Sequence, residues 1–283
     1  MYVSMKQILD RANRENYAVM AINCFNLETS RTVINAAEEY KAPIIINIVQ
    51  DHLETHAPSN LIAPIVKDLA EKVSVPVALN FDHGKDKKLL YKAIEDGFTS
   101  IMYDGSDFNL EQNIMETKEM VEYAHKRGIS VEAELGSLGA TEGEGYTSND
   151  MKTNPEEAEN FVKRTGIDAL AISYGSSHGN YPKGMVPEFD FERLKEIKKK
   201  IDIPLVLHGG SGSGEENIRK SVEYGINKIN VGCDFMNANR ASIHKILKQN
   251  PDINFFDMMH QVEKDNEEII KYYIELSGSK YKA

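Results

Sequence analysis

Short runs rich in β-branched and other apolar residues recur along the chain, each followed by a stretch whose apolar positions repeat at helical spacing. The runs cover 18–23, 43–49, 75–82, 99–104, 130–135, 168–174, 204–208 and 228–231. Most are nearly continuous, as at Ile44-Ile45-Ile46 and Leu205-Val206-Leu207, which fits parallel strands covered on both faces. Between them lie amphipathic segments such as 30–40, 110–127 and 155–164, with Lys and Glu on one side. Eight strand–helix units in alternation predict an α/β fold, a (β/α)8 TIM barrel, with an open doubly wound sheet as its rival. A further helical stretch over 253–276, with apolar positions at Met258, Val262, Ile269, Tyr272 and Tyr273, is expected to pack on the barrel or on another subunit.

The length of 283 residues suits this reading, since α/β barrels of about 250 residues form one domain. No Pro-rich or Ser-rich linker interrupts the rhythm, so one domain over residues 1–283 is expected. The 33 basic and 44 acidic side chains leave a net charge of −11, which argues against a nucleic-acid partner because phosphate neutralisation needs a basic face. Cys24 and Cys233 are far apart and no long apolar run occurs, so neither a disulfide framework nor a membrane span is indicated. Residues 1–11 lack a secretory pattern. The expected setting is cytoplasmic.

In such barrels reactive residues sit at the carboxyl ends of strands and in the loops that follow. Three of the eight histidines, His83, His178 and His208, fall there, each followed by glycine. Three neutral imidazoles with an open fourth position are the ligand set of a catalytic zinc, although any one of them alone reads equally as a hydrogen-bonded histidine. Asp82 precedes His83, and adjacent strand residues point to opposite sides. The pair should therefore not both ligate one ion without a bend at Gly84, and Asp82 is the better candidate for proton transfer. Glu134 and Asp104, at the ends of the fifth and fourth runs, are read as carboxylates that support the ligands or hold an additional cation, with simple filling of a barrel layer as the alternative for Glu134.

Two glycine-rich loops, Gly209-Gly210-Ser211-Gly212 and Gly232-Cys233, follow the seventh and eighth runs, where barrels commonly hold a phosphate on backbone N–H groups. Helices starting near Glu215 or Asp234 would add the positive end of their dipoles. Lys183 supplies a point charge to the same anion or is a surface lysine. The segment 136–145 carries four glycines with Glu142 and Glu144 and reads as a lid that brings a carboxylate over the ion on closure. Solvated loop charges are the alternative. His52 and His56 are assigned to a loop facing solvent, and His125, His244 and His260 to helices.

Together, Asp82-His83-Gly84, Val131-Glu132-Ala133-Glu134-Leu135-Gly136, Gly175-Ser176-Ser177-His178-Gly179, Leu207-His208-Gly209-Gly210-Ser211-Gly212 and Lys228-Ile229-Asn230-Val231 resemble the class II, metal-dependent ketose-bisphosphate aldolases over nearly the whole chain. The resemblance implies a (β/α)8 barrel, to which the stretch 253–276 would add a C-terminal helix, with Zn2+ on His83, His178 and His208, dihydroxyacetone phosphate as the donor half of the substrate, and a homodimer or homotetramer. It makes Asp82 the acid and base at the C4 hydroxyl, and Glu142 the loop carboxylate that exchanges a proton with the enediolate. Asn23 and Asn230 become substrate-contacting amides. Gly179, Gly209 and Ser211 become ligands of the donor phosphate and of a monovalent cation, Na+ or K+. Glu134 becomes the buried carboxylate near the metal.

Three positions depart from the family pattern. Cys233 stands where many relatives carry Ser or Thr. Met236 occupies the place of a cation that grips the second phosphate, with Arg240 one turn later. No serine follows the second strand near Val49-Gln50-Asp51. The first reading is a carbon–carbon lyase of carbohydrate metabolism acting on fructose or tagatose 1,6-bisphosphate. An aldolase for a ketose 1-phosphate stays open beside it, as does a zinc hydrolase, which would not need paired phosphate loops, and a non-catalytic sugar-phosphate binding module.

Overall fold

The computed structural model describes residues 1–136, 139–140, 152–179, 181–182 and 185–283. Among them are eight parallel strands, β1 (Val19–Asn23), β2 (Ile44–Val49), β3 (Val77–Gly84), β4 (Ser100–Tyr103), β5 (Ser130–Leu135), β7 (Ala169–Ile172), β9 (Leu205–Leu207) and β10 (Ile226–Val231). They close a barrel in the order β1-β10-β9-β7-β5-β4-β3-β2. Each falls on one of the eight apolar runs, and closure excludes the open sheet. Two short strands on the rim, β6 (Gly139–Ala140) and β8 (Ser177–His178), pair with each other.

Helices α2 (Leu27–Glu39), α4 (Ser59–Glu71), α5 (Lys87–Asp96), α6 (Leu110–His125), α7 (Pro155–Thr165), α8 (Phe191–Lys200) and α9 (Glu215–Glu223) return the chain between strands, and α10 (Cys233–Gln249) follows the last one. Short polar side chains start several of them: Asn26, Asp86, Asn109, Asn154 and Asp190 each accept an N–H of the first turn, satisfying donors that the helix cannot pair itself. The last helix, α11 (Phe255–Ser277), packs on α2 and α10. It buries Val262, Ile270, Tyr273, Ile274 and Leu276, and the Arg31 guanidinium grips both oxygens of Glu263 at 2.7 and 2.6 Å. His52 lies on a one-turn helix, α3 (Gln50–Thr55), not in a loop, and the Phe25 ring meets both His52 and His56 edge-on.

The amino end of the barrel is closed by α1 (Met5–Glu15), an element absent from the sequence reading. Ser4 and Gln7 form a capping box at its start. Its buried face, Met5, Ile8, Leu9 and Ala12, meets Val19, Ala21, Ile45, Ala78, Ala169, Ala171 and Val206 from inside the barrel. Each Met, Ile or Leu so buried contributes about 1.5–3 kcal/mol. Leu9→Asp would break this seal by placing an unpaired carboxylate in it.

Two residues further along the same inward rows, the lining becomes polar. Ile45 gives way to Asn47, Ala78 to Asn80 and Asp82, and Val206 to His208; Glu132, Glu134, Lys228 and Asn230 complete the layer, all buried. The barrel is therefore apolar at its amino end and polar at its carboxyl end.

Candidate active site

The local path of β3 decides the geometry of the site. Strict alternation would turn His83 away from Asp82. Instead His83 takes φ +51°, a left-handed conformation uncommon for a residue with a Cβ, and the pairing of β3 with β4 shifts between Phe81 and Gly84. The expected bend exists, but it is at His83 itself and not at Gly84. Asp82 and His83 consequently share one space with His208, and single ligand atoms of the three lie within 4.8 Å of one another. His83, Asp104 and Glu134 form a second such group.

The two imidazoles meet edge to face, with ring centroids 4.7 Å apart. His83 Nδ1 is 3.2 Å from Asp104 Oδ2 and 4.0 Å from Glu134 Oε2; His208 Nδ1 is 3.6 Å from the same Glu134 oxygen. Burial alone would lower the pKa of His83, but Asp82, Asp104 and Glu134 outweigh it and push it up to about 9. His208, fully enclosed and facing the positive His83, is driven well below the usual histidine range. Burial raises Glu134 to about 8, against the pull of His83. Burial also opposes ionisation of Asp104, yet hydrogen bonding to His83 and Ser106 holds it well below the usual carboxylate range. Asp82 is buried, and Asn230 Nδ2 donates to both of its oxygens at 3.2 Å.

Beneath this cluster lies a pair that sequence reasoning passed over. Lys228 Nζ donates to Glu132 Oε2 at 2.6 Å, and Glu132 Oε1 is 2.9 Å from His208 Nε2. A usable signal was present: β5 and β10 alternate polar and apolar residues, as in Val131-Glu132-Ala133-Glu134 and Lys228-Ile229-Asn230-Val231, which places Glu132 and Lys228 on the inward row with Glu134 and Asn230.

The loops after β9 and β10 form one cradle. Ser211 Oγ accepts the N–H groups of Gly232 and Asp234 at 3.2 Å each, and Asp234 accepts from Gly212 N–H and from the Tyr273 hydroxyl. Gly210 N–H bonds to the Asn230 carbonyl at 2.9 Å. Gly209 has φ +69°, and a Cβ there would lie 2.3 Å from the Ser177 carbonyl oxygen; β8 is thus pressed against the loop that follows His208. A Cβ at Gly232 would lie 2.9 Å from Asn23 Nδ2, so Asn23 joins the cradle from β1. Cys233 is the first residue of α10, and the N–H groups on either side of it are the two that Ser211 accepts.

The chain matches the family model described as fructose-bisphosphate aldolase class-II over residues 3–282. It belongs to the class II fructose-bisphosphate aldolase family. Members are carbon–carbon lyases of glycolysis, and aldol cleavage is the activity of this chain. Among its relatives, the fructose-bisphosphate aldolase of Geobacillus stearothermophilus is 40% identical over 253 residues, 89% of this chain and 88% of the relative. The probable fructose-bisphosphate aldolase of Bacillus subtilis is 40% identical over 252 residues, 88% of each. Among solved structures, the YdjI aldolase from Escherichia coli K12 superposes with a TM-score of 0.89 at 34% identity, covering 100% of both chains.

Of the residues singled out in the sequence, Asp82, His83, His208, Glu134, Asp104 and Asn230 meet at the carboxyl end of the barrel. Asn23, Gly209, Gly210, Ser211, Gly232 and Cys233 lie at the adjoining loops. His178 is in β8, where its backbone pairs with Ala140, and its side chain lies outside the described residues. Gly179 follows it with φ +94°. Glu142, Glu144 and Lys183 lie outside the described residues. Among the described residues, no helix is long and apolar enough to cross a membrane.

Proposed function

We propose that the chain is a zinc-dependent aldolase that cleaves a ketose phosphate, foremost fructose or tagatose 1,6-bisphosphate, to dihydroxyacetone phosphate and an aldehyde. The printed names of the Geobacillus and Bacillus relatives support the fructose substrate. The observation that carries the reading is the convergence of Asp82, His83 and His208 on one space at the carboxyl end of the barrel.

The residues present suit a divalent ion. Two imidazoles and several carboxylates converge, and Glu134 Oε2 is buried there without a hydrogen-bond partner. His83, His178 and His208 would hold one Zn2+ per subunit, with Glu134 and Asp104 supporting them or holding an additional cation. When bound, the ion draws electron density from the ketose carbonyl and stabilises the charge that cleavage leaves on the donor half. Asp82 takes the C4 hydroxyl proton as the bond breaks, oriented for it by Asn230. Glu142 exchanges the proton at the donor carbon. Asn23 and Asn230 contact the substrate. Its phosphate rests on Gly179, Gly209, Gly210, Ser211, Gly232 and Cys233, with Lys183 as a nearby charge and Na+ or K+ beside it. This proposal includes a single domain over 1–283, a homodimer or homotetramer, a cytoplasmic setting and no nucleic-acid partner.

A ketose 1-phosphate is the second reading, favoured by Met236 in place of a cation and by the exposure of Arg240. Incubating the zinc-loaded enzyme with dihydroxyacetone phosphate and a panel of phosphorylated and plain aldehydes, with product identification, tests both. Condensation products that vanish on chelation and return with Zn2+ are expected; activity indifferent to chelation overturns the metal.

A further inference from the structure

The buried pair Glu132–Lys228 lies outside the chemistry just described. Both side chains are wholly enclosed, at 0% exposure. Taking a carboxylate and an ammonium out of water is costly even when they pair, and a well-packed apolar pair would serve stability equally well. What an apolar pair could not do is engage His208 and Asp82. The carboxylate divides its oxygens: Oε2 accepts from Lys228 at 2.6 Å, while Oε1 is left facing His208 Nε2 at 2.9 Å. The same ammonium lies 4.0 Å from Asp82 Oδ1.

We propose that Glu132 and Lys228 are positioning residues that fix the ring of His208 and its tautomer. An ionised carboxylate can only accept, so the hydrogen of a neutral His208 ring is on Nε2. The lone pair is then on Nδ1, the nitrogen that faces Glu134 and the space shared with His83. Lys228 acts one step back. By occupying Oε2 it fixes the carboxylate plane and commits Oε1 to the histidine. The ring therefore presents its acceptor nitrogen before any ion arrives, as expected where a carboxylate orients a ligating histidine from behind. This inference rests on the proposal that His208 is a metal ligand.

The first test uses the unsubstituted, metal-free protein. Long-range 1H–15N spectra with 15N-labelled histidine, assigned with His208→Ala, should show a neutral His208 protonated on Nε2; a proton on Nδ1 overturns the proposal. The second test measures zinc affinity by chelator competition on Glu132→Met/Lys228→Met, whose apolar pair has similar volume and avoids leaving one buried charge alone. Retained helix content and an affinity weaker by about 10–100-fold are expected. His208→Ala, measured alongside, separates the two layers. Unchanged affinity in His208→Ala overturns the ligand assignment and the proposal with it. A large loss there with none in the double variant overturns the positioning role alone. Should the double variant not fold, the tautomer in the unsubstituted protein decides.

Discussion

Asn230 aims its side-chain amide at Asp82 so that one nitrogen is 3.2 Å from both carboxylate oxygens. A symmetric donor of this kind holds the carboxylate plane without committing either oxygen, so each stays available to a substrate hydroxyl. Asp82→Ala should abolish carbon–carbon cleavage, by about 10²-fold or more, with zinc still bound. Asn230→Ala keeps the base but releases its orientation and should cost less, about 10-fold. Steady-state rates with metal analysis check both. Loss of metal from Asp82→Ala with normal activity per remaining zinc would assign Asp82 to the ligand set.

Metal binding should depend steeply on pH. In the metal-free chain His83 is pushed up to about 9 and Glu134 to about 8. Below these values both groups carry protons, and an ion that uses their lone pairs must displace them. Apparent zinc affinity should therefore rise by about tenfold per pH unit for each proton displaced, from pH 6 towards 9, and then level off. Proton release on adding Zn2+ in weakly buffered solution measures the same quantity. Equal affinity at pH 6 and pH 9 would contradict the placement of these groups around the ion.

The barrel was legible because each strand is a dense apolar run, and the rule that chemistry sits at strand ends gathered Asp82, His83, His208, Glu134 and Asp104 from distant segments. Two kinds of feature escaped. Lys228 and Glu132 are 96 residues apart, and no local pattern says that two inward side chains face each other across a closed barrel. The bend at His83 escaped because a left-handed conformation is ordinarily assigned to glycine, and Gly84 stands next to it. The helix α1 was legible but unread: Ser4 and Gln7 have capping-box spacing, and Met5, Ile8, Leu9 and Ala12 repeat at 3, 4 and 7.

Acid should weaken the join between α2 and the start of β3. Burial would raise the pKa of Glu38, but Lys41 and the donors of Ser74 and Val75 outweigh it and hold it down at about 2. A carboxylate depressed on folding contributes stability that is fully present above its unfolded value of about 4.5 and is lost as pH falls towards 2. Its side chain is 30% exposed, so solvent screening reduces the contribution to about 1 kcal/mol. Glu38→Gln should lower stability by that amount at pH 7, with the difference from the unsubstituted protein disappearing near pH 2. Urea unfolding at several pH values reads it, and a constant difference across the range would show that Glu38 is not linked to protons.

A terminal phosphate gripped by a bidentate arginine gains affinity and orientation, whereas Met236, on the first turns of α10, offers only an apolar contact. Arg240 stands one turn further along the same helix, exposed to solvent. A smaller preference for bisphosphates over 1-phosphates is therefore expected than in an enzyme dedicated to fructose bisphosphate. Arg240→Ala separates the routes. A KM that rises for the bisphosphate alone means that Arg240 has taken over the missing cation's place; equal KM changes for both substrates mean that it has not. Strong bisphosphate selectivity that survives both Arg240→Ala and Lys183→Ala would overturn the argument, since neither cation would then account for the phosphate's binding.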